Sequence, residues 1–268
     1  MTMNKLGRSL KIAFSMYSSI PVKDFKWKEE DMKYVMDFFP LVGALIGAIT
    51  YSLFALTFHF GLGPGNFFLP AVFAVLPVLL SGGIHIDGFI DTVDAMLSHR
   101  EKDKRLLIMQ DPHVGGLGVM GAVIYFLLLA GSFSACYTGQ KALSVEAFAT
   151  ISLGFVLSRT MSGLSLVTSE SARGTGLAYT FQKYSDRKNV RDTLTCEAVV
   201  TAVLMIGFGR WTGGFALLFN LLLILFFRRT VKKNMGGITG DTCGFLSSMS
   251  ELVTVFTAAV FTQIFSLL

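Results

Sequence analysis

Three aspartates, Asp87, Asp91 and Asp94, stand four and three residues apart in the stretch Gly82-Gly83-Ile84-His85-Ile86-Asp87-Gly88-Phe89-Ile90-Asp91-Thr92-Val93-Asp94. On a helix these spacings put the carboxylates on one face. Like charges so close together repel unless a cation sits among them, and hard carboxylate oxygens suit Mg²⁺, which keeps waters and takes substrate phosphates as further ligands. A solvated acidic helix face is the alternative. Here the aspartates alternate with Ile86, Phe89, Ile90 and Val93 at the end of a long apolar run, which favours the metal.

Other residues suited to phosphate chemistry recur along the chain. Asp111 and His113 lie in Met109-Gln110-Asp111-Pro112-His113-Val114-Gly115-Gly116, and Asp241 closes Gly236-Gly237-Ile238-Thr239-Gly240-Asp241. Glycine turns of this kind bring backbone N–H groups close to phosphate, with simple interhelical turns as the alternative. Asp111 and Asp241 are candidate metal ligands; Gly236, Gly237, Thr239 and His113 are candidate substrate contacts. Arg173, among small residues in 169–177, offers a bidentate guanidinium to phosphate. His85 is a candidate substrate contact, with metal ligation or a satisfied hydrogen-bonding role as alternatives. Arg159 and Glu251 are charges inside apolar segments, and such charges default to function. Arg159 would neutralise a phosphate or pair with a buried carboxylate. Glu251 would be a ligand, a general base or the partner of Arg159.

Elements that position these groups follow from composition. Hydrophobic residues make up 52% of the 268-residue chain and charged residues 15%, against roughly a quarter charged in soluble domains. An all-α, polytopic membrane bundle is therefore expected, as a single catalytic domain over 1–268. Spans of roughly 20 apolar residues are expected near 35–59, 66–84, 115–138, 143–168, 194–209, 211–227 and 246–267. Arg210 alone separates the fifth and sixth, which predicts a tight hairpin. Residues 1–33 read as a basic amphipathic segment: a helix with Leu6, Leu10, Ala13, Phe14 and Tyr17 on its apolar face lies in the membrane interface, Pro21 ends it, and Lys23 to Lys33 form a mixed-charge surface stretch.

With the N-terminus in the cytoplasm, cytoplasmic segments hold 20 of the 23 Lys and Arg, as the positive-inside rule requires. Seven helices are expected, with the C-terminus on the opposite side and the aspartate stretch, Asp111, Arg173 and Asp241 all cytoplasmic. The net charge of +5 then reports topology rather than nucleic-acid binding. Arg100, Lys102, Lys104 and Arg105 read as contacts to anionic lipid. Cys136, Cys196 and Cys243 show neither disulfide nor zinc spacing, and no cleavable leader is expected.

At these residues the sequence resembles the cobalamin synthase family, the adenosylcobinamide-GDP ribazoletransferases. The stretch 82–94 is similar to the family's G-G-L-H-L-D-G-L-A-D-T-A-D-G signature, and 236–241 matches its G-G-x-T-G-D. Ser18-Ser19-Ile20-Pro21-Val22, Met109 through Gly118, and Ala172 through Leu177 resemble further family motifs in order. Ser19, Gln110 and Pro112 stand where that pattern has Arg, Lys and Ser.

The resemblance implies that adenosylcobinamide-GDP reacts with α-ribazole or its 5′-phosphate to give adenosylcobalamin or its 5′-phosphate plus GMP. In that reading Asp87, Asp91, Asp94 and Asp241 hold one or two Mg²⁺ ions, with Asp111 as a further ligand. Asp91, Asp94 or Glu251 accepts the proton, and Arg173 neutralises the leaving GMP. The implied setting is a bacterial cytoplasmic membrane, with the oligomeric state open.

Two other classes of membrane protein share part of this pattern. A CDP-alcohol phosphotransferase is also acid-rich and membrane-embedded, but its D-G-x2-A-R pattern expects Ala where Asp91 stands, and its downstream aspartate pair is missing. A cation-coupled transporter would place acids near the membrane midplane, whereas nearly all the candidate acids here fall at cytoplasmic helix ends.

Overall fold

A computed structural model describes residues 5–23, 25–62, 67–137 and 140–268, so expected segment limits at 1–4, 24, 66 and 138 lie outside the described residues. In chain order, α1 (Lys5–Tyr17) and a 3-10 segment (Glu29–Phe38) precede α2 (Phe39–His59), α3 (Phe68–Ser81), α4 (Ile84–Leu97) and α5 (Lys102–Ile108). Then come α6 (Gly116–Cys136), α7 (Lys141–Thr168), α8 (Leu177–Tyr184), α9 (Arg187–Met235) and α10 (Gly240–Ser266). Among the described residues there is no strand, only an isolated parallel bridge between Ser171 and Ile238.

Five described stretches are long and apolar enough to cross a membrane: Glu29–His59, Gly116–Cys136, Lys141–Thr168, Arg187–Met235 and Gly240–Ser266. The bent pair α3 and α4 makes a sixth if counted as one span. Helix α7 is the central post, packed on α2, α9 and α10.

Helix α9 is the expected hairpin. Its Arg187 donates to the Val167 and Ser169 carbonyls, while Arg228, 41 residues on, donates to Thr168 Oγ1. Both ends of α9 therefore meet the same end of α7. The reversal falls at Arg210, whose φ of 50° and ψ of −127° are non-helical. A Cβ on Gly213 would lie 1.9 Å from the Met205 carbonyl oxygen, so the two arms touch directly beyond the turn. Arg210 pairs with Glu146 of α7 at 3.3 Å.

The expected span at 66–84 ends early. Helix α3 stops at Ser81, and Gly82 and Gly83 take left-handed φ values of 67° and 80°, which cost glycine little and other residues roughly 1–2 kcal/mol. Helix α4 leaves at 100° to α3. The aspartate stretch therefore turns across the end of the bundle instead of extending the span.

At the opposite end an aromatic cluster ties α2, α3, α6 and α7 together. Phe148 stacks on Phe54 at 4.0 Å and meets Phe73 and Tyr137 edge-on at 5.2 Å each. Lipid is as apolar as these rings, so close packing rather than water exclusion holds them. Phe148→Ala is expected to cost about 3 kcal/mol, read as a lower unfolding midpoint of the detergent-solubilised protein.

The N-terminal region is docked as well as amphipathic. Helix α1 buries Ser9, Ile12, Ala13 and Tyr17. Asp31 ties it to the 3-10 segment through an ion pair with Arg8 at 2.8 Å and a carbonyl that accepts from Ser9 Oγ at 2.7 Å.

An acid-lined candidate active site

The acids of α4 and α10 meet because both helices carry glycine where they cross. A Cβ on Gly88 would fall 2.7 Å from the Asp241 carbonyl oxygen, and one on Gly244 would fall 3.1 Å from that of His85. Backbones in such contact bring Asp87, Asp91 and Asp241 to one junction. The cap of α10 holds Asp241 there: Thr239 Oγ1 accepts from the Thr242 N–H at 3.1 Å, Thr242 Oγ1 accepts from the Thr239 N–H at 2.8 Å, and the Thr239 hydroxyl also reaches Asp241 at 3.4 Å. An aspartate in the first turn is further favoured by the helix dipole.

Two cavities open on this junction. One, of about 310 Å³, is lined by Asp87, Asp241, His85, Arg173, Ser171 and Thr239, with Tyr17 and Phe39 among its apolar walls. The other, of about 890 Å³, has Asp87, Asp91, Gln110 and Asp111 at its polar lip and apolar side chains of α6 such as Val119, Val123 and Phe126 along its wall. Asp87 and Met109 line both. A phosphate group beside Asp87 would thus have chemically different space on either side.

Arg173 is aimed by its surroundings. Its Nη2 donates to the Leu106 carbonyl at the end of α5, and its loop is pinned by the Ala172 N–H to Ile238 carbonyl bond at 2.8 Å. Its buried Nε has no protein partner among the described residues. Arg173→Lys is expected to raise KM for a phosphate-bearing substrate about tenfold through loss of the planar fork, with kcat falling less, measured by steady-state kinetics.

His85 is 6% exposed, 6.1 Å from the Tyr17 ring and 5.5 Å edge-on to Phe39. Its Nε2 is buried with no hydrogen-bond partner among the described residues. Asp111 is exposed beside the larger cavity. It accepts from the His113 backbone N–H at 2.9 Å and bonds the His113 ring at 2.8 Å, and these bonds hold its carboxyl below the usual range. His113 itself is turned toward Asp111.

Five expected site residues make other contacts in this structure. Asp94 accepts from the Gly118 N–H at 3.1 Å, capping α6 and joining it to α4. Arg159, 1% exposed, pairs with Glu251, 5% exposed, and also donates to Ser158 Oγ at 2.9 Å; neither charge lines the two acid-lined cavities. Gly236 and Gly237 face a third cavity on the outer side of the 169–172 segment. A Cβ on Gly237 would lie 2.5 Å from the Glu170 carbonyl oxygen, so close packing accounts for glycine there. Tyr17 and Met109 were not expected in the site. Spacing alone gave Tyr17 a place on the apolar face of α1 and gave Met109 nothing beyond its neighbour Asp111.

Donor chemistry at the junction fits Mg²⁺, since Asp87, Asp91, Asp241 and Asp111 offer only hard oxygens. Among the described residues, no three His, Cys, Asp or Glu side chains are grouped so that they could hold a metal ion by themselves. Mg²⁺ commonly takes one or two carboxylates, with substrate phosphates and waters as the remaining ligands.

A helical bundle with several membrane-length apolar helices and two acid-lined cavities at one end, one of them bearing Arg173, has the architecture of a multi-pass membrane enzyme. Residues 9–259 match the sequence profile of the cobalamin-5-phosphate synthase family, and the chain belongs to that family of cobalamin-biosynthetic transferases. It is 36% identical to the adenosylcobinamide-GDP ribazoletransferase of Lachnoclostridium phytofermentans over 91% of this chain and 90% of that one. Proteins of the same name from Clostridium perfringens and Desulfitobacterium hafniense are 30% and 31% identical, each over 92% of this chain and 96% and 94% of theirs. No solved structure matches the chain.

Proposed function

We propose that the chain transfers the adenosylcobinamide phosphate group from adenosylcobinamide-GDP to α-ribazole or its 5′-phosphate, giving adenosylcobalamin or its 5′-phosphate and GMP. One observation carries the reading: Asp87 lines both cavities, with Arg173 and Asp241 on one side of it and Asp91 and Asp111 on the other. A pyrophosphate lying across Asp87 would be held at its centre. A ribose hydroxyl attacks the phosphorus on the cobinamide side, the bridging P–O bond breaks, and the electron pair leaves with GMP. Arg173 stabilises the charge that develops there, and Asp91 takes the proton of the attacking hydroxyl. Thr239 and His85 orient the phosphate, and Asp94 keeps α4 and α6 in register behind it.

Asp87, Asp91 and Asp241 would hold Mg²⁺, with Asp111 at the edge of the site; the ion would neutralise pyrophosphate charge. The two rivals weighed from sequence are disfavoured by the family match, since neither a phosphotransferase of CDP-alcohols nor a transporter shares it.

We further infer seven crossings, counting α3 with α4 as one and the arms of α9 as two. The N-terminus and the acid-lined end then face the cytoplasm of a bacterial inner membrane, α1 lies in the interface, and the C-terminus is on the other side. Supporting this, Arg187 and Arg228 meet at one end of α7 while Arg210 and Glu146 pair at the other. The test is Mg²⁺-dependent GMP release from adenosylcobinamide-GDP by the full chain in nanodiscs, with and without α-ribazole. Release in the absence of acceptor, or none with it, overturns the reading.

A further inference from the structure

The third cavity, of about 300 Å³, is lined by Thr168, Ser169, Glu170, Arg228 and Lys232 and by the 236–238 turn. It lies at the same end of the bundle as the acid-lined junction but is lined by none of its acids. Arg228 and Lys232 stand one turn apart on the second arm of α9, so both cations face one way. Arg228 Nη2 donates to Thr168 Oγ1 at 2.8 Å. The Glu170 and Ile238 backbones fix the opposite wall, with the Ile238 N–H donating to the Glu170 carbonyl at 2.9 Å.

Charge and surroundings together select an occupant. Two cations beside two hydroxyls suit a phosphate, yet Glu170 lines the same space, and a bare phosphate would leave that carboxylate facing like charge. A phosphodiester carrying an ammonium group satisfies all three charges. On the face of α9 that carries Arg228 and Lys232, the residues ten, seven and three positions before Arg228 are Leu218, Leu221 and Leu225, exposed at 48%, 56% and 48%. Cations directly above an exposed leucine stripe fit a headgroup whose acyl chains run down the helix.

We propose that this cavity binds the phosphoethanolamine headgroup of a membrane lipid, with phosphate between Arg228 and Lys232 and ammonium at Glu170. The wall it would contact, 169–172, continues directly into Arg173, so an occupied cavity would buttress the loop that enters the acid-lined site.

Native mass spectrometry of the detergent-purified full chain with added phosphatidylethanolamine, phosphatidylglycerol or phosphatidylcholine tests the site. Wild type should retain phosphatidylethanolamine about tenfold more tightly than either of the others, and Lys232→Gln should cut that retention about tenfold. Lys232 is exposed, and its ammonium makes no described bond, so this variant should fold as wild type does; Arg228→Ala should behave likewise. Glu170→Gln should erase the preference over phosphatidylglycerol while binding to phosphatidylglycerol persists. Soluble phosphoethanolamine at equal concentration should compete poorly, because it lacks the chains. The proposal fails if Lys232→Gln retains lipid as wild type does, if Glu170→Gln leaves the ranking unchanged, or if the soluble headgroup competes as well as the lipid.

Discussion

Asp87→Asn is expected to lower kcat for GMP release by about 10²–10³-fold, with Asp241→Asn close behind. The amide keeps the shape of the carboxylate and removes only its charge, so the loss reads electrostatics rather than packing. Asp87 suffers most because its carboxylate lines both cavities, whereas Asp241 serves the smaller and Asp91 the larger. Asp94→Asn is the control. Its amide oxygen can still accept from the Gly118 N–H, so a role confined to capping α6 predicts a fall of less than tenfold. Rates at limiting Mg²⁺ in nanodiscs decide between these outcomes. Wild-type turnover by Asp87→Asn would remove the pyrophosphate from the junction altogether.

Arg159→Met is expected to destabilise the fold by about 3–5 kcal/mol, because it strands the Glu251 carboxylate in a dry interior. Adding Glu251→Leu should recover most of that loss, since well-packed apolar pairs replace buried ion pairs at little cost. Neither residue lines the acid-lined cavities, so the double variant should keep a measurable rate of GMP release. Unfolding midpoints of the two single variants and the double variant measure the coupling. If the double variant is stable but inactive, Glu251 reaches the chemistry after all, as its position on the helix begun by Asp241 allowed.

Much of the architecture was legible because membranes restrict the choices. Apolar length and the sidedness of Lys and Arg indicated a helical bundle, and a lone Arg210 between two apolar runs indicated a hairpin. Both ends of α9 on one end of α7 agree with that hairpin. The 100° bend was not foreseen, since Gly82 and Gly83 read as small residues at a span end, and only backbone angles reveal a turn of two left-handed residues. The partners of the aspartates were legible as types but not as contacts. That Asp241 reaches α4 depends on Gly88 and Gly244, 156 positions apart in the chain, lying opposite one another, which no local pattern records. Spacing also could not show the contacts of each carboxylate: Asp94 shares the face of Asp87 and Asp91, and one of its oxygens accepts from the N-terminus of α6. Arg159 and Glu251 stood out as costly charges, and their mutual pairing, one of the alternatives open to each, is present in the structure.

The α9 hairpin has a consequence for biogenesis. Its two arms meet at Arg210 with no intervening loop, and the arginine ends beside Glu146. With both arms crossing the bilayer, as proposed above, a turn this tight would have the pair enter the lipid together. Helix α7, which carries Glu146, leaves the ribosome first, so the counter-charge is already in place when the cationic tip arrives. The order of synthesis thus presents Glu146 before the arginine it pairs with at the far end of the hairpin.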